Sequence, residues 1–372
     1  MSMLNSEDAV AQAVADAKGP LTIRGGGTRA VGRPVTGQVL DVSGLSGVTL
    51  YEPGALTIVA QAGTPVAEIE ATLAAENQRL AFEPYDLTGM LGTKGATTIG
   101  GVIATNASGP RRIMAGAARD FALGVRFVDG AGHVIKNGGR VMKNVTGYDL
   151  VKLMSGSWGT LGVLTEISLK VLPAVEATET LVIDGLTSAG AVAAMAQALG
   201  SPFEVSGAAW TDGAVWLRIE GFGSSVAYRA DALTALLSKH GDVMRVSDAD
   251  WTTIRDATPL HGMDSVWRAS VKPSDAPALV AALPDGCTTL LDWGGGLVWI
   301  GQSGGNAAAT HGTIQSTVAT LGGHATLIKA PNAVRASVPV FQPEQPGVAA
   351  LSTALRARFD PRGILNPGLM AA

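Results

Sequence analysis

The residues best suited to chemistry are glycines set beside hydroxyls and arginines. Arg24-Gly25-Gly26-Gly27-Thr28 follows the short apolar stretch Leu21-Thr22-Ile23. Glycine admits the positive φ angles with which successive backbone N–H groups converge on an anion, and it leaves room for a close approach. A plain tight turn has the same composition, so this run alone leaves both readings open. A second cluster, Gly95-Ala96-Thr97-Thr98-Ile99-Gly100-Gly101 followed by Asn106 and Gly109, mixes small residues with hydroxyls and an amide. Such a segment can line an extended ligand and donate several hydrogen bonds to phosphate or ribityl oxygens. Tight packing of a helix against a loop is the alternative. A third element, Gly156-Ser157-Trp158-Gly159-Thr160-Leu161-Gly162-Val163, runs straight into the clearest strand of the chain. None of these is a G-x-G-x-x-G that follows a strand and precedes a matching acid, and no G-x-x-x-x-G-K-[ST] is present. Rossmann-type and phosphate-loop binders are therefore excluded.

Other reactive side chains are sparse. Cys287 is the single cysteine. It excludes an internal disulfide, a cysteine-ligated iron–sulfur cluster and a thiolate zinc site, and reads as a small buried apolar side chain. The five histidines are isolated, without the i, i+4 spacing of ligands, so no metal site is expected. Arg111, Arg112, Arg119 and Arg126 form the one notable basic group. They face either an anionic ligand or partner, or ordinary ion-pair neighbours such as Asp120 and Asp129.

The elements that position these residues follow from periodicity and punctuation. A helix is expected over 7–18, with Asn5 or Ser6 as N-cap and Gly19-Pro20 as the stop. Thr64 is expected to cap a second helix that has Pro65 at its first position. Strands are expected over 39–42, 56–61, 124–129 and 133–136. The clearest strand is 162–173, where Val163, Thr165, Ile167, Leu169 and Val171 share one face. From about 174 to 330, helices near 187–199, 224–239 and 307–321 alternate with strands near 215–219, 289–293 and 297–300. That order suggests a small α+β sandwich, compatible with two similar halves. The 372 residues suit two compact domains, and 47% hydrophobic against 16% charged residues mark a packed globular chain. A net charge of −4 argues against a nucleic-acid or membrane-surface binder. No secretory signal and no run of ~18 apolar residues is seen, so a cytoplasmic place is expected.

Taken in order, these elements resemble the flavoproteins of the vanillyl-alcohol-oxidase type, with the p-cresol-methylhydroxylase (PCMH) FAD fold. The match is carried by Arg24 to Thr28, Ala96 to Gly109, Gly147-Tyr148-Asp149, Gly156 to Val163 and Leu365-Asn366-Pro367-Gly368. Within that group the chain is similar to the FAD-binding E subunits of bacterial glycolate oxidases (glycolate dehydrogenases). The runs responsible are Ser108-Gly109-Pro110-Arg111-Arg112, Arg119 to Gly124, Val141 to Asp149, Ser168 to Pro173 and Asp292-Trp293-Gly294-Gly295-Gly296. The resemblance implies an α+β chain with a two-part PCMH-type FAD-binding domain over 1–173. A smaller α+β, ferredoxin-like cap over 174–335 and a C-terminal segment, 336–372, returning to the FAD domain complete it. It also implies roles. Gly25, Gly26, Gly27 and Thr28 hold the FAD diphosphate through backbone amides; Gly100, Gly101, Asn106 and Gly109 follow the diphosphate and ribityl chain. Gly162 and Val163 lie beside the adenine end. Arg24, Thr98 and Asn366 complete the expected cofactor-binding set.

Three departures qualify this picture. Relatives with covalent flavin carry a histidine beside the first loop, where Thr28 and Arg29 stand here, so the FAD is expected to be non-covalent. Trp158 occupies a position that is glutamate in many relatives. The histidine-rich H-x-G-D-G-N-x-H stretch of relatives that oxidise 2-hydroxy acids is missing. The expected function is therefore that of an FAD-binding subunit of a glycolate (2-hydroxy acid) oxidase or dehydrogenase complex, serving electron transfer or assembly, with no catalytic residue assigned. The expected partners are a sister catalytic flavoprotein subunit and an iron–sulfur subunit, with a small 2-hydroxy acid as the complex's substrate. No nucleic acid and no direct membrane insertion are expected, and a peripheral place at the inner membrane is open only through the complex. The alternatives are a self-sufficient FAD oxidoreductase of glycolate or D-lactate, and a scaffold that has lost flavin, against which the intact glycine loops argue.

Overall fold

A computed structural model describes residues 3–141 and 147–370, so the Met142 to Thr146 part of one matching run lies outside the described residues. Two compact units are present. The first contains the chain up to Ser108, Ala117–Ala174 and the stretch from Pro343; the second contains Gly109–Gly116 and Val175–Gln342. From sequence, 109–116 is expected with the first region. Arg111, Arg112 and Gly109 instead make their bonds to the second unit, as described below.

The first unit has two principal sheets, besides a two-residue antiparallel ladder between Gln78–Arg79 and Leu172–Pro173. In one, Leu21–Arg24 pairs in parallel with Gln38–Asp41. The C-terminal tail adds to it, with Leu21 N donating to Ile364 O at 2.7 Å and Asn366 N to Leu21 O at 3.0 Å. The other is a five-stranded antiparallel sheet in the order Val48–Glu52, Thr57–Gln61, Val163–Lys170, Ala122–Val128, Val134–Gly138. Its central strand, Val163–Lys170, is covered on both faces, because Leu164 and Ser168 are buried as well as Ile167 and Leu169. Helix Glu7–Asp16 starts at Ser6, whose hydroxyl accepts from Ala9 N. Its buried Val10 and Val14 pack with Leu21, Leu40, Val128, Val163 and Leu365. The helix stops two residues short of expectation. There the Arg362 guanidinium takes the carbonyls of Val14, Ala15 and Ala17, as a cation at a helix C-terminus does. Thr64 does not cap the next helix, Val66–Ala74. Its hydroxyl instead donates to Gln61 O and accepts from Gly47 N, and Pro65 stands at the cap.

Glu7 ties the first helix to the five-stranded sheet, accepting from Arg126 and from Thr165 Oγ1. Burial raises the Glu7 pKa, but the Arg126 and Thr165 hydrogen bonds and the Arg126 charge outweigh it, so the net direction is down. A carboxyl held below its unfolded value stabilises the fold at neutral pH, and that contribution is lost as pH falls through the folded-state value. Glu7→Gln is expected to cost about 1 kcal/mol at neutral pH. The gap between variant and wild type, followed by urea unfolding, should close in acid below the usual carboxylate range. A gap that persists there would show that the pair contributes nothing through its charge.

The second unit is one eight-stranded sheet made of two β-α-β-β-α-β halves. The first half runs Ala177–Ile183, Ser188–Leu199, Val205–Thr211, Ala214–Gly221, Gly223–Leu237, Val243–Val246. The second runs Ser265–Ser270, Ala276–Ala281, Cys287–Asp292, Leu297–Gln302, Ala307–Thr320, His324–Lys329. In each half the strands lie in the spatial order fourth, first, third, second, and the halves join where Val205–Thr211 meets Cys287–Asp292. This is the ferredoxin-like arrangement, used twice. One sheet face carries Leu181, Ile183, Val215, Leu217 and Ile219, all fully buried with helical Ala191, Met195, Ala230 and Leu233. By alternation the other face carries Thr180, Trp216, Arg218, Glu220, Arg268 and Trp299. Cys287, expected in the core, is only half-buried, at the end of its strand opposite Gln302.

Candidate functional site

The first glycine run leaves strand Leu21–Arg24 and is pressed face to face against the second. A Cβ on Gly26 would sit 1.7 Å from the carbonyl oxygen of Ala96, and one on Gly95 would sit 1.7 Å from that of Gly26. The approach is reciprocal, and only glycine permits it. A Cβ on Gly25 would lie 2.8 Å from Thr98 Oγ1. Gly27 has φ +72°, and the Arg24 guanidinium folds back over it, its Nε 2.9 Å from where a Cβ would stand. Thr97 Oγ1 donates to Asp86 Oδ1 at 2.9 Å and lies 3.2 Å from Thr28 Oγ1. Thr98 caps helix Ile99–Thr105, and its hydroxyl accepts from Gly101 N at 3.4 Å. Arg29 donates to Tyr85 O and lies 4.8 Å over the Tyr85 ring.

Seven of the expected residues are thus brought together: Arg24, Gly25, Gly26, Gly27, Thr28, Thr98 and Gly101. They form a cradle of backbone amides, hydroxyls and a guanidinium. Two residues before Gly95, the Thr93 hydroxyl is buried and has no partner among the described residues. The Asp86 carboxylate is taken up by Thr88 and Thr97. A donor-rich, glycine-lined cradle fits a diphosphate. Sequence reasoning passed over Asp86, Thr93 and the Arg29–Tyr85 pair, which stand outside the glycine runs. The Thr97-to-Thr28 contact, 69 residues apart, had no local signal.

The other expected residues have structural duties. Gly100 is buried, its N–H donating to Ala62 O at 2.7 Å, where a Cβ would collide. Asn106 ends helix Ile99–Thr105 in the left-handed region, and its Oδ1 accepts from Arg119 N. Asn366 accepts from Ile23 N through Oδ1 and donates to Trp158 O through Nδ2, stitching the first strand to the third glycine element. Gly162 lies against the Phe127 ring, and the Val163 side chain belongs to the hydrophobic core. Gly109 is in the second unit, where its carbonyl accepts from Trp293 Nε1 at 3.0 Å.

The basic group is dispersed. Arg126 pairs with Glu7, Arg119 with Asp120, and Arg111 makes a bidentate bond to buried Glu220. The ion-pair reading therefore describes these three, with partners that only Asp120 among them was expected to supply. Arg112 stacks 4.5 Å from the centre of Trp293, which Arg268 approaches at 4.9 Å. His324, exposed at the start of strand His324–Lys329, stands near these two arginines. Crowding by protein lowers its pKa first, then the Arg268 and Arg112 charges. His133 meets Asp129, His240 meets Gln197, and His261 meets Asp256 O. Buried His311 accepts from Trp267 Nε1, and desolvation lowers its pKa.

Comparison with known proteins gives this geometry a family. The FAD binding domain family matches residues 3–138. The Escherichia coli (strain K12) protein "Glycolate oxidase subunit GlcE" is 39% identical over 98% of this chain and 95% of its own length. The Bacillus subtilis (strain 168) "Glycolate oxidase subunit GlcD" is 35% identical over 44% of this chain and 34% of its length. Among solved structures, an alkyldihydroxyacetonephosphate synthase superposes with a TM-score of 0.70 at 18% identity, over 98% of this chain and 76% of that one, which shows a shared fold. With its glycine cradle and near-complete alignment to a named subunit, the chain belongs to the GlcE family of glycolate oxidase subunits, FAD-binding oxidoreductases of the PCMH-type fold.

Proposed function

We propose that this chain is the auxiliary flavoprotein of a glycolate (2-hydroxy acid) oxidase complex. It holds one FAD without a covalent bond, while a sister flavoprotein oxidises the substrate and an iron–sulfur subunit passes electrons on. Bound FAD supplies a hydride acceptor that can also exchange single electrons. The observation that carries the reading is the cradle itself, intact and lined by neither histidine nor cysteine. In it the amides of Gly25 to Thr28 would hold the diphosphate, and Thr98 and Gly101 would continue along it. Gly100, Asn106 and Asn366 would serve by fixing the loops, and Gly162 and Val163 by seating the adenine-side segment on the core. Oxidation of a 2-hydroxy acid needs a base within reach of the hydroxyl proton. Four of the five histidines are engaged by protein groups, as described above, which supports division of labour.

The test uses the purified full-length chain. Acid precipitation should release its yellow colour into the supernatant, and colour retained in the pellet would refute non-covalent binding. With glycolate or D-lactate and an artificial acceptor dye, the chain alone should be inactive, and activity should need both partner subunits. One observation favours a second reading, turnover by this chain alone. His324 stands beside the Arg268 and Arg112 guanidiniums, and crowding by protein and then these two charges lower its pKa, a pairing suited to a proton acceptor next to a carboxylate. Turnover by the isolated chain that disappears in His324→Gln would establish that reading instead.

A further inference from the structure

The two halves of the second unit share a frame but differ at one end of the sheet. In each, a carboxylate ahead of the first strand accepts from a glycine N–H at the entry to the second helix. Glu176 Oε1 accepts from Gly223 N at 3.1 Å, and Asp264 Oδ2 from Gly304 N at 2.8 Å. The third strand of each half ends opposite the start of the first, Gly221 on Ala177 and Gln302 on Ser265. Phe222 alone then joins strand to helix in the first half, whereas Ser303-Gly304-Gly305-Asn306 does so in the second. The longer loop, with Gly304 at φ +67° and Gly305 at φ +70°, borders an open cavity of about 620 Å³. The polar groups around it are of both signs and incompletely used. Lys329 lines the cavity and gives one proton to His261 O at 3.1 Å. Asn306 Oδ1 takes Ala309 N, and the amides of Ala307 and Ala308, both in the cavity wall, have no hydrogen bond among the described residues. Gln302 is only 7% exposed, and its carboxamide lies against Gly305, where a Cβ would stand 3.1 Å from Nε2. Its buried Oε1 has no partner among the described residues. Such an acceptor points to a donor that the chain does not itself supply.

We propose that this cavity binds a small zwitterion, an α-amino acid with an apolar side chain. Its carboxylate would take the Lys329 ammonium and the Ala307 and Ala308 amides, at the positive end of a 14-residue helix. Its ammonium would donate to Gln302 Oε1 and to the Asp264 carboxylate. Ala330, Pro331 and Val334 supply an apolar wall for the side chain. A plain anion would leave the Gln302 acceptor unmet and bring its charge towards Asp264. A plain amine would meet Lys329 and the helix end. A ligand carrying both charges satisfies all of these groups at once. The site is made by the second unit alone, uses no residue of the glycine cradle, and does not depend on the flavin reading.

The experiment is titration calorimetry on the purified full-length chain with L-leucine and L-valine. Isocaproate, which lacks the ammonium, and isoamylamine, which lacks the carboxylate, are the comparison probes. An amino acid should bind, and each single-charge analogue should bind at least about tenfold more weakly. Lys329→Met should weaken amino-acid binding by about tenfold, as should Asp264→Asn, which keeps an acceptor for Gly304 N. Gln302→Leu should weaken it by about fivefold while the melting temperature holds or rises, because a buried unpartnered polar group is removed. That variant separates a binding role from a structural one even if the charge variants fold poorly. Glu176→Gln, at the matching place in the first half, should leave binding unchanged. Isocaproate or isoamylamine binding as tightly as the amino acids would overturn the zwitterion assignment. Full amino-acid affinity in Gln302→Leu would overturn the choice of cavity. Absence of binding by both amino acids at millimolar concentration would overturn the proposal outright.

Discussion

Gly26→Val is expected to leave the protein without flavin and to lower its stability by about 3 kcal/mol, the upper end for overpacking a tight site. The added Cβ would lie 1.7 Å from the Ala96 carbonyl oxygen and 2.8 Å from its carbon. Those atoms are backbone and cannot swing aside as a side chain would. The two loops must therefore part, and the amides that converge on the cradle lose their aim. The collision is therefore between the two loops themselves, and not between a side chain and a bound anion. Gly54→Val is the control, since a Cβ there meets nothing within 4 Å. Flavin-to-protein absorbance and thermal unfolding read both effects. Full flavin occupancy in Gly26→Val would remove this cradle as the cofactor site.

The second large effect is expected at Glu220. This carboxylate is buried, holds Arg111 at 2.8–3.1 Å, and lies 3.6 Å from the buried Arg218, which also stacks 4.5 Å over Trp251. Glu220→Ala strands guanidinium charge in a low-dielectric setting, which costs about 3–5 kcal/mol when one partner of a buried pair is removed. The loss should appear in the unfolding of the second unit, because Arg111 belongs to the 109–116 segment grouped with it. Pairing Glu220→Ala with Arg111→Met in a double-mutant cycle isolates the bond, since neighbours in one network do not add. A Glu220→Ala cost below about 1 kcal/mol would mean that solvent reaches the pair.

The glycine runs were legible because glycine at such density has few reasons to exist other than close backbone approach. The central strand was legible for a similar reason, its apolar residues recurring through Val163, Ile167 and Leu169. Strands such as Ala177–Ile183 and Val205–Thr211 were not, since they mix apolar residues with threonine, serine and glycine. Their register comes from neighbours far away in the chain. The segment at 109–116 illustrates the same point. Its eight residues are a proline, two arginines, Ile113, Met114 and Ala115 between two glycines, with no pattern that assigns them to either unit, and Glu220 and Trp293 receive Arg111 and Arg112 in the second.

What the sequence by itself determined is the chemistry on offer: two glycine loops with hydroxyls, no thiolate set, no histidine-rich stretch, and a single cysteine. These are matters of residue type and local spacing, which a chain carries before it folds. Only the tertiary structure decided which of those residues meet. It pressed Gly26 on Gly95, gave Asn366 to Ile23 and Trp158, placed Val163 in the core and moved Gly109 to the second unit. The reason is that contacts between residues hundreds of positions apart are set by how apolar faces bury and how buried polar groups find partners, and both are properties of the whole fold.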